Sequence, residues 1–424
     1  MSPRDVYHRW VSLAFDPARQ PSPRLTVTAL ETIQLGEFPN VLWARIYTDQ
    51  GLVGLGETFF GPNAVAAYLH DSVAPYLIGK AALDIDLHSR RLSGYLGFNS
   101  TGAEARGNSA IDLALWDLFG KATNLPVYQL LGGLSRDRLR IYNTCAGYRY
   151  IRAAPFQAVD NWGLPNAGAG GPYEDLDAFL NRADELARSL LDQGISGMKI
   201  WPFDPYAEAS GGHSISAADL RSALEPFRKI REAVGDAMDI MVELHSLWDL
   251  TTAKRIAAAL EEFNPYWNED PIKMDNQAAV AELARSTRVP ICASETLSTR
   301  WSFRELLEQR AAGIVMLDVS WCGGLSEARK IAAMAEAYQL PVAPHDCTGP
   351  VVLMASVHLS MNATNALIQE TVRAFYTGWY TELVTRLPKI EHGYVYPPEG
   401  PGLGTELVPG LEQRGDATVR ISRA

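Results

Sequence analysis

Apolar and polar residues alternate with a period of two near the start of the chain and then change to a helical period. Residues 25–35 and 40–57 alternate as half-buried strands do, and the letters TDQG at 48–51 indicate a hairpin turn within the second run. From residue 63 to residue 133, apolar residues recur every three or four positions, which predicts helices. Strands followed by helices without alternation predict a small α+β domain over residues 1–139.

Beyond residue 139, short apolar runs and helical stretches follow one another in turn. The candidate strands are LRIYNTC (139–145), GMKIW (197–201), DIMVELH (239–245), YWNED (266–270), PICASE (290–295), GIVMLDVS (313–320), LPVAPH (340–345) and ALIQET (366–371). Eight strands with interleaved helices predict a closed parallel barrel of the α/β class over residues 140–389. The competing open sheet usually carries a Gly-rich first turn, and neither GxGxxG nor a P-loop motif occurs. The Pro- and Gly-rich residues 390–424 are predicted to return to the first domain.

Charge and composition narrow the choice of partners. The net charge is −11 and no basic block occurs, so the sequence does not predict a nucleic-acid partner. No apolar run reaches the roughly 20 residues of a membrane span, no signal peptide is evident, and the four cysteines are scattered. We therefore expect a cytoplasmic protein without a membrane partner. An acidic protein can still bind an acid if a metal or a lysine supplies positive charge.

Three glutamates are regularly spaced at candidate strand ends. Glu243, Glu269 and Glu295 are each 26 residues apart, about the length of one strand–helix repeat. Adjacent strands would place the three carboxylates at one height on one rim, where they repel one another unless a cation is present. All-oxygen ligation favours Mg²⁺ or Mn²⁺. The spacing alone leaves open that these are unrelated surface acids.

Other ionisable residues fall at the same predicted rim. His245 lies two residues after Glu243, so both side chains point the same way. Asp318 and His345 end the sixth and seventh candidate strands, where an Asp can orient a His and raise its basicity. Lys199 ends the second and is suited to binding a carboxylate or stabilising enolate charge. Structural histidines and a solvated lysine remain the alternatives.

Several segments together resemble the enolase superfamily, and specifically its mandelate racemase subgroup. They are SAIDLALWDLFGKATNLPVYQLLGG (109–133), TDQGLVGLGET (48–58), WNEDP (267–271), ASET (293–296), LDVSWCGGLSEARKIA (317–332) and VAPH (342–345). The resemblance implies an N-terminal α+β capping domain and a modified TIM barrel, (β/α)7β. It also implies abstraction of the proton alpha to a carboxylate, which gives an enediolate stabilised by Mg²⁺.

The resemblance also implies roles for individual residues. The metal ligands would be Glu243, Glu269 and Glu295. His345 is similar to the general base and Asp318 to its partner. Glu370 resembles the acid that hydrogen-bonds the enediolate oxygen, for which it would have to be protonated through a raised pKa. Lys199 resembles the first lysine of a paired-lysine motif.

The second strand departs from the racemase pattern. Trp201 replaces the second lysine, so one face of the carbanion loses its usual proton carrier. An acid-x-His arrangement, here Glu243 and His245, is similar to that of sugar-acid dehydratases, in which the His protonates the leaving hydroxyl. We therefore expect a Mg²⁺-dependent dehydratase that converts an aldonic-type sugar acid to a 2-keto-3-deoxy acid. The alternatives are a racemase or epimerase with His245 and His345 on opposite faces, and a non-catalytic barrel scaffold.

Substrate contacts are predicted from loops over the barrel mouth. Long insertions follow the first and second barrel strands, at 146–173 and 201–216, on the face where barrel active sites lie. His213 in the second loop, Phe59 and Phe60 in the capping domain, and Trp201 with Lys199 are the candidates for contact with a small carboxylic acid. The resemblance further implies a homo-oligomer, either a dimer or an octamer.

Overall fold

The computed structural model describes residues 25–93, 102–150, 152 and 173–423. Most of the predicted loop at 146–173 lies outside the described residues. Within the described part of the chain, no helix is both long and apolar enough to cross a membrane.

The capping domain pairs an antiparallel sheet with a helical layer. Its strands are β1 (Val27–Leu35), β2 (Val41–Thr48) and β3 (Val53–Phe59). Its helices are α1 (Pro62–Tyr68), a π-helical turn (Leu69–Val73), α2 (Ala74–Leu77), α3 (Ile85–Leu92), α4 (Ala103–Thr123) and α5 (Val127–Leu131). Helix α4 packs directly on β3, because a Cβ at Gly54 would lie 2.1 Å from the carbonyl oxygen of Ala114 and one at Gly56 only 1.9 Å from that of Ala110. The two glycines therefore allow the close approach of strand and helix.

The second domain is a closed parallel barrel. Its strands are β4 (Leu139–Thr144), β5 (Gly197–Ile200), β6 (Asp239–Glu243), β7 (Trp267–Glu269), β8 (Ile291–Ala293), β9 (Ile314–Val315) and β10 (Gln369–Thr371). The helices are α6 (Asp175–Asn181), α7 (Ala183–Asp192), α8 (Asp204–Ser210), α9 (Ala217–Val234), α10 (Leu250–Leu260), α11 (Gln277–Arg285), α12 (Thr299–Glu308), α13 (Leu325–Ala337), α14 (Pro350–Asn362), α15 (Arg373–Tyr376) and α16 (Tyr380–Leu383), with single 3₁₀ turns at Gly235–Ala237, Glu261–Phe263 and Leu411–Gln413.

Two sets of contacts close the barrel. The seventh strand position is a short segment at Val342, which forms parallel bridges to Val315 and to Ala366. Strand β10 then pairs with β4, and Glu370 lies opposite Tyr142 in this pairing. Eight strand positions with helical connections give the predicted modified TIM barrel, and the open-sheet alternative is wrong.

Inward-facing side chains from successive strands fill the barrel. They form a cluster separate from the main core, consisting of Tyr142, Met241, Trp267, Cys292, Ile314, Met316, Ala343 and Ile368. Fully burying each large apolar side chain contributes about 1.5–3 kcal/mol. A solid interior leaves only the carboxyl ends of the strands for a site.

The C-terminal segment contacts both domains. The hairpin of β11 (Ile390–Glu391) and β12 (Tyr394–Val395) pairs antiparallel with β4, a contact that the sequence did not predict. Strand β13 (Ala417–Arg423) then pairs antiparallel with β1 and forms an edge of the capping sheet.

Two capping-domain carboxylates hold the amino ends of barrel helices. Glu57 Oε1 accepts hydrogen bonds from the backbone N–H groups of Val351 (3.1 Å) and Val352 (2.9 Å) in α14. Asp112 Oδ2 accepts one from the N–H of Ser326 (2.9 Å) in α13. Unpaired N–H groups and the helix dipole both favour an acceptor there. Burial outweighs these hydrogen bonds and raises the pKa of Glu57 to about 8 and that of Asp112 to about 7. These contacts fix the capping domain above the barrel mouth.

Candidate active site

The three regularly spaced glutamates converge at the barrel mouth. Glu243 ends β6 and lies opposite Glu269, the last residue of β7, while Glu295 follows β8. All three are buried, and one ligand oxygen from each lies within 4.8 Å of the others. Burial raises the pKa of Glu243 to about 7 and raises that of Glu269 well above its usual range. Glu243 and Glu269 thus resist ionisation without added positive charge, whereas at Glu295 burial is outweighed by His345, which lowers the pKa to about 2. Three convergent carboxylates fit a hard divalent cation such as Mg²⁺.

Lys199 lies at the centre of this acidic group. Its Nζ is 2.6 Å from Oε1 of Glu269, 2.9 Å from Oε1 of Glu370 and 3.4 Å from Oε2 of Glu243. Burial lowers the pKa of Lys199, but the carboxylates outweigh burial and raise it well above its usual value. The side chain is therefore a buried cation, and the alternative of a solvated rim lysine is wrong.

Glu370 is held as a hydrogen-bond acceptor. The Thr144 hydroxyl donates to Oε1, and the backbone N–H of Asp346 donates to Oε2 at 2.9 Å. Burial raises the pKa of Glu370, but the positive charges of Lys199 and then His345 outweigh burial. The pKa therefore lies below its usual value. The expectation of a raised pKa and a protonated Glu370 is wrong for this arrangement, because Lys199 stabilises the carboxylate.

His345 and Asp318 form a buried pair, at the adjacent positions that the sequence suggested. Nδ1 of His345 is 2.7 Å from Oδ2 of Asp318, and Nε2 is 2.8 Å from Oε2 of Glu295. The N–H and the hydroxyl of Ser320 both donate to Oδ1 of Asp318, at 2.6 and 2.7 Å. Burial lowers the pKa of His345, but Glu295 and Glu370 outweigh burial and raise it. The imidazole is thus oriented through Nδ1 and directs Nε2 toward the acidic group.

His245 and Asp204 form a second histidine–aspartate pair, in the segments that follow β6 and β5. Nδ1 of His245 is 2.7 Å from Oδ2 of Asp204, the residue that begins α8. Asp204 is fully buried, and His245 has a left-handed backbone with φ of 47°. The ring of Trp201 lies 5.9 Å from that of His245, edge to face. Trp201, which stands where the paired-lysine motif has its second lysine, therefore packs against His245.

These groups surround one cavity that opens to solvent. Its described lining consists of Phe60, Thr144, Tyr150, Lys199, Trp201, Glu243, His245, Glu295, Trp321, His345 and Cys347. The lining combines convergent polar groups with aromatic rings, a composition typical of small-molecule sites. The Trp321 ring packs 5.2 Å from the His345 ring. Trp321 lies three residues after Asp318 and begins the WCGG segment of the family motif at 317–332. Phe60 was a predicted contact together with Phe59, but the sequence analysis did not single out Thr144, Tyr150, Trp321, Cys347 or Asp204.

Two predicted substrate contacts lie elsewhere in the structure. Phe59 packs into the main core, and its neighbour Phe60 lines the cavity instead, because the left-handed backbone of Phe60 (φ 66°) breaks the alternation of β3. The His213 side chain is 79% exposed, lies 3.3 Å from Asp249 and is not among the lining residues. Both predictions of a substrate contact are corrected accordingly.

Comparisons with known proteins cover both domains. Residues 16–132 match the mandelate racemase/muconate lactonizing enzyme N-terminal domain family, and residues 182–410 match the enolase C-terminal domain-like family. The D-xylonate dehydratase of Haloferax volcanii is 32% identical over 90% of this chain and 86% of its own length. The D-galactonate dehydratase of Ralstonia nicotianae is 32% identical over 90% of this chain and 92% of its own length.

A solved structure agrees with the same assignment. An enolase of the mandelate racemase subgroup from Agrobacterium tumefaciens is 54% identical, with a TM-score of 0.84 over 94% of this chain and 99% of that one. Sequence families, curated relatives and three-dimensional structure thus confirm the resemblance drawn from the motifs. The chain belongs to the mandelate racemase/muconate lactonizing enzyme family of the enolase superfamily.

Proposed function

We propose that this protein is a Mg²⁺-dependent dehydratase that converts an aldonic-type sugar acid to a 2-keto-3-deoxy acid. One observation carries the proposal: His345 and His245, each paired with a buried Asp, line the same cavity beside Lys199 and the three glutamates. One histidine can act as base and the other as acid. Relatives named as sugar-acid dehydratases support the same reaction.

In the proposed first step, Nε2 of His345 removes the proton at C2 of the substrate. A proton alpha to a carboxylate is very weakly acidic, so the developing negative charge needs stabilisation. Lys199 supplies a buried positive charge. A Mg²⁺ ion held by Glu243, Glu269 and Glu295 would add Lewis-acid stabilisation of that charge when bound.

In the second step, His245 protonates the hydroxyl that leaves from C3. Trp201 occupies the position of the second lysine in racemases of the family and offers no basic group there. A base on one face and a proton donor near the neighbouring carbon favour loss of water over inversion at C2. The enol that results tautomerises to the 2-keto acid.

Epimerisation is the second candidate, because both histidines line the cavity. If they face C2 from opposite sides, the same enediolate can be reprotonated with inversion. Incubation in D₂O separates the two reactions, since an epimerase incorporates deuterium at C2 with inversion and releases no 2-keto acid.

The test is a screen of purified protein with Mg²⁺ against a library of sugar acids for 2-keto acid release. We expect at least one acid to be dehydrated and His345→Asn to abolish C2 exchange in D₂O. His392→Asn is the matched control, since the His392 side chain is 84% exposed. No 2-keto acid from any acid in a broad library contradicts the proposal, and exchange retained in His345→Asn contradicts the assignment of the base.

A further inference from the structure

A buried carboxylate controls the second histidine. Asp204 Oδ2 lies 2.7 Å from Nδ1 of His245, and Asp204 is fully buried while His245 lines the cavity. We propose that Asp204 is a positioning residue for the dehydration step, which holds the His245 imidazole so that its Nε2 delivers a proton to the leaving C3 hydroxyl. The inference rests on the proposed function, because it concerns the step in which water leaves.

The backbone around Asp204 is built to keep this distance. The carbonyl of Gly212, in the loop that follows α8, accepts a hydrogen bond from the N–H of Asp249 at 3.1 Å. Gly212 has φ of 78°, and a Cβ there would lie 1.9 Å from the carbonyl oxygen of Leu247. The loops that follow β5 and β6 are thus in direct backbone contact. A carboxylate on one loop and an imidazole on the other are therefore held rigidly.

The contact decides which ring nitrogen can exchange a proton with a ligand. A carboxylate accepts hydrogen bonds, so the nitrogen beside Asp204 carries its hydrogen, and exchange with the cavity has to pass through Nε2. His345 is arranged in the same way, with Nδ1 2.7 Å from Asp318. Trp201 packs against the His245 ring at 5.9 Å. Both histidines in the cavity are therefore oriented by an aspartate at Nδ1.

The reaction balances with these groups alone. His345 takes the C2 proton, and the electron pair left on the substrate forms the C2–C3 double bond as the C3–O bond breaks. The Nε2 proton of His245 joins the departing hydroxide to give water. The enol then loses its C2 hydroxyl proton as it gains a proton at C3 and becomes the 2-keto acid. The proton that His345 took replaces, through solvent, the one that His245 gave, so that one molecule of sugar acid gives one of keto acid and one of water.

The test separates the two steps in Asp204→Asn. With Mg²⁺ and an acid that the unchanged protein dehydrates, two quantities are measured in D₂O: release of 2-keto acid and exchange of the C2 proton in the recovered acid. We expect release to fall by about 10²- to 10⁴-fold, the usual contribution of a positioned acid, while exchange changes only a few-fold because His345 is untouched. Asp249→Asn is the matched control: it makes the same change in the exposed His213–Asp249 pair between the same loops and should leave both quantities unaltered.

A double variant distinguishes positioning from a general structural role. In a His245→Asn background, Asp204→Asn should lower release no further, because the histidine through which it acts is gone; additive losses would overturn the inference. Equal release by Asp204→Asn and the unchanged protein, or an equal fall in exchange and release, would also overturn it. If the melting curve shows that Asp204→Asn is not folded, Asp204→Ser is measured instead with the same expectations. Failure of the unchanged protein to release any 2-keto acid would overturn the proposed function itself.

Discussion

His358 provides a quantitative test of how the structure responds to pH. It lies in α14 and is fully buried; the N–H of Tyr128 donates to its Nδ1 at 3.2 Å, and its Nε2 lies 3.3 Å from the carbonyl oxygen of Leu403. A second proton on the ring would face the Tyr128 N–H. Burial accordingly lowers the pKa of His358 from 6.5 to about 4.

The sign and size of the effect follow from this difference. Because the pKa is lower in the folded protein, the unfolded chain takes up more protons between pH 6.5 and about pH 4. The contribution of His358 to stability is therefore complete above pH 6.5 and is lost as the pH falls toward about 4. The two pKa values correspond to at most about 3 kcal/mol, of which about 2 kcal/mol is lost between about pH 7.5 and about pH 5.

The assay is urea unfolding of the unchanged protein and His358→Asn at those two pH values. Asn can still accept the Tyr128 hydrogen bond but does not titrate, so the variant should lose about 2 kcal/mol less than the unchanged protein. His70, whose pKa burial also lowers to about 4, is present in both proteins and cancels. His392→Asn is the surface control. An equal loss of stability in the unchanged protein and His358→Asn would refute the reasoning.

Three further predictions concern the metal group and the junction of the domains. Trp267 Nε1 donates to Oε2 of Glu269 at 2.8 Å, so Trp267→Phe should weaken Mg²⁺ binding by about 10- to 100-fold in calorimetric titration; unchanged affinity would contradict a supporting role. Because burial raises the pKa of Glu243 to about 7, protons compete with the metal, and the apparent affinity for Mg²⁺ should fall as the pH drops below about 7; a flat titration series from pH 8 to about 5.5 would count against this. Glu57 accepts hydrogen bonds from the backbone N–H groups of α14 and from Trp43 Nε1 (2.7 Å). In Glu57→Gln the side-chain NH₂ would face one of these N–H donors, so the free energy of unfolding should fall by about 1–3 kcal/mol in urea titrations. An unchanged midpoint would show that the carboxyl group is not needed.

Regular repeats explain how far the sequence could predict the site. Each strand–helix repeat returns the chain to the same rim, so the spacing of 26 residues suggested that Glu243 lies beside Glu269, and the family motifs made that interpretation specific. The register pairs the two residues directly. The same regularity brought Asp318 and His345 together from adjacent strands. The barrel itself followed from eight apolar runs, although β9 is only two residues long.

Irregular backbone explains what the sequence could not predict. Asp204 and His245 are 41 residues apart in loop and helix-start positions, and their contact depends on loops packed through Gly212 and Leu247. Of the two candidate phenylalanines, Phe60 rather than Phe59 faces the cavity, through a positive φ that no alternation rule anticipates. The pKa of Glu370 depends on a lysine from another strand, which is a tertiary contact rather than a local pattern.

The pairing of β13 with β1 sets an order for assembly during translation. Leu35 lies opposite Ala417, and Ala29 lies opposite Arg423, so the capping sheet joins distant parts of the chain. At about 5–20 residues per second, a ribosome takes on the order of 20–75 s to make the intervening barrel, and throughout that time the nascent β1 edge lacks its partner. An open edge of this kind invites pairing with other chains until it is filled. The barrel can thus begin to fold before the capping domain is complete. The capping sheet, whose strand β3 leads directly into Phe60, has all four strands only when residues 417–423 have emerged.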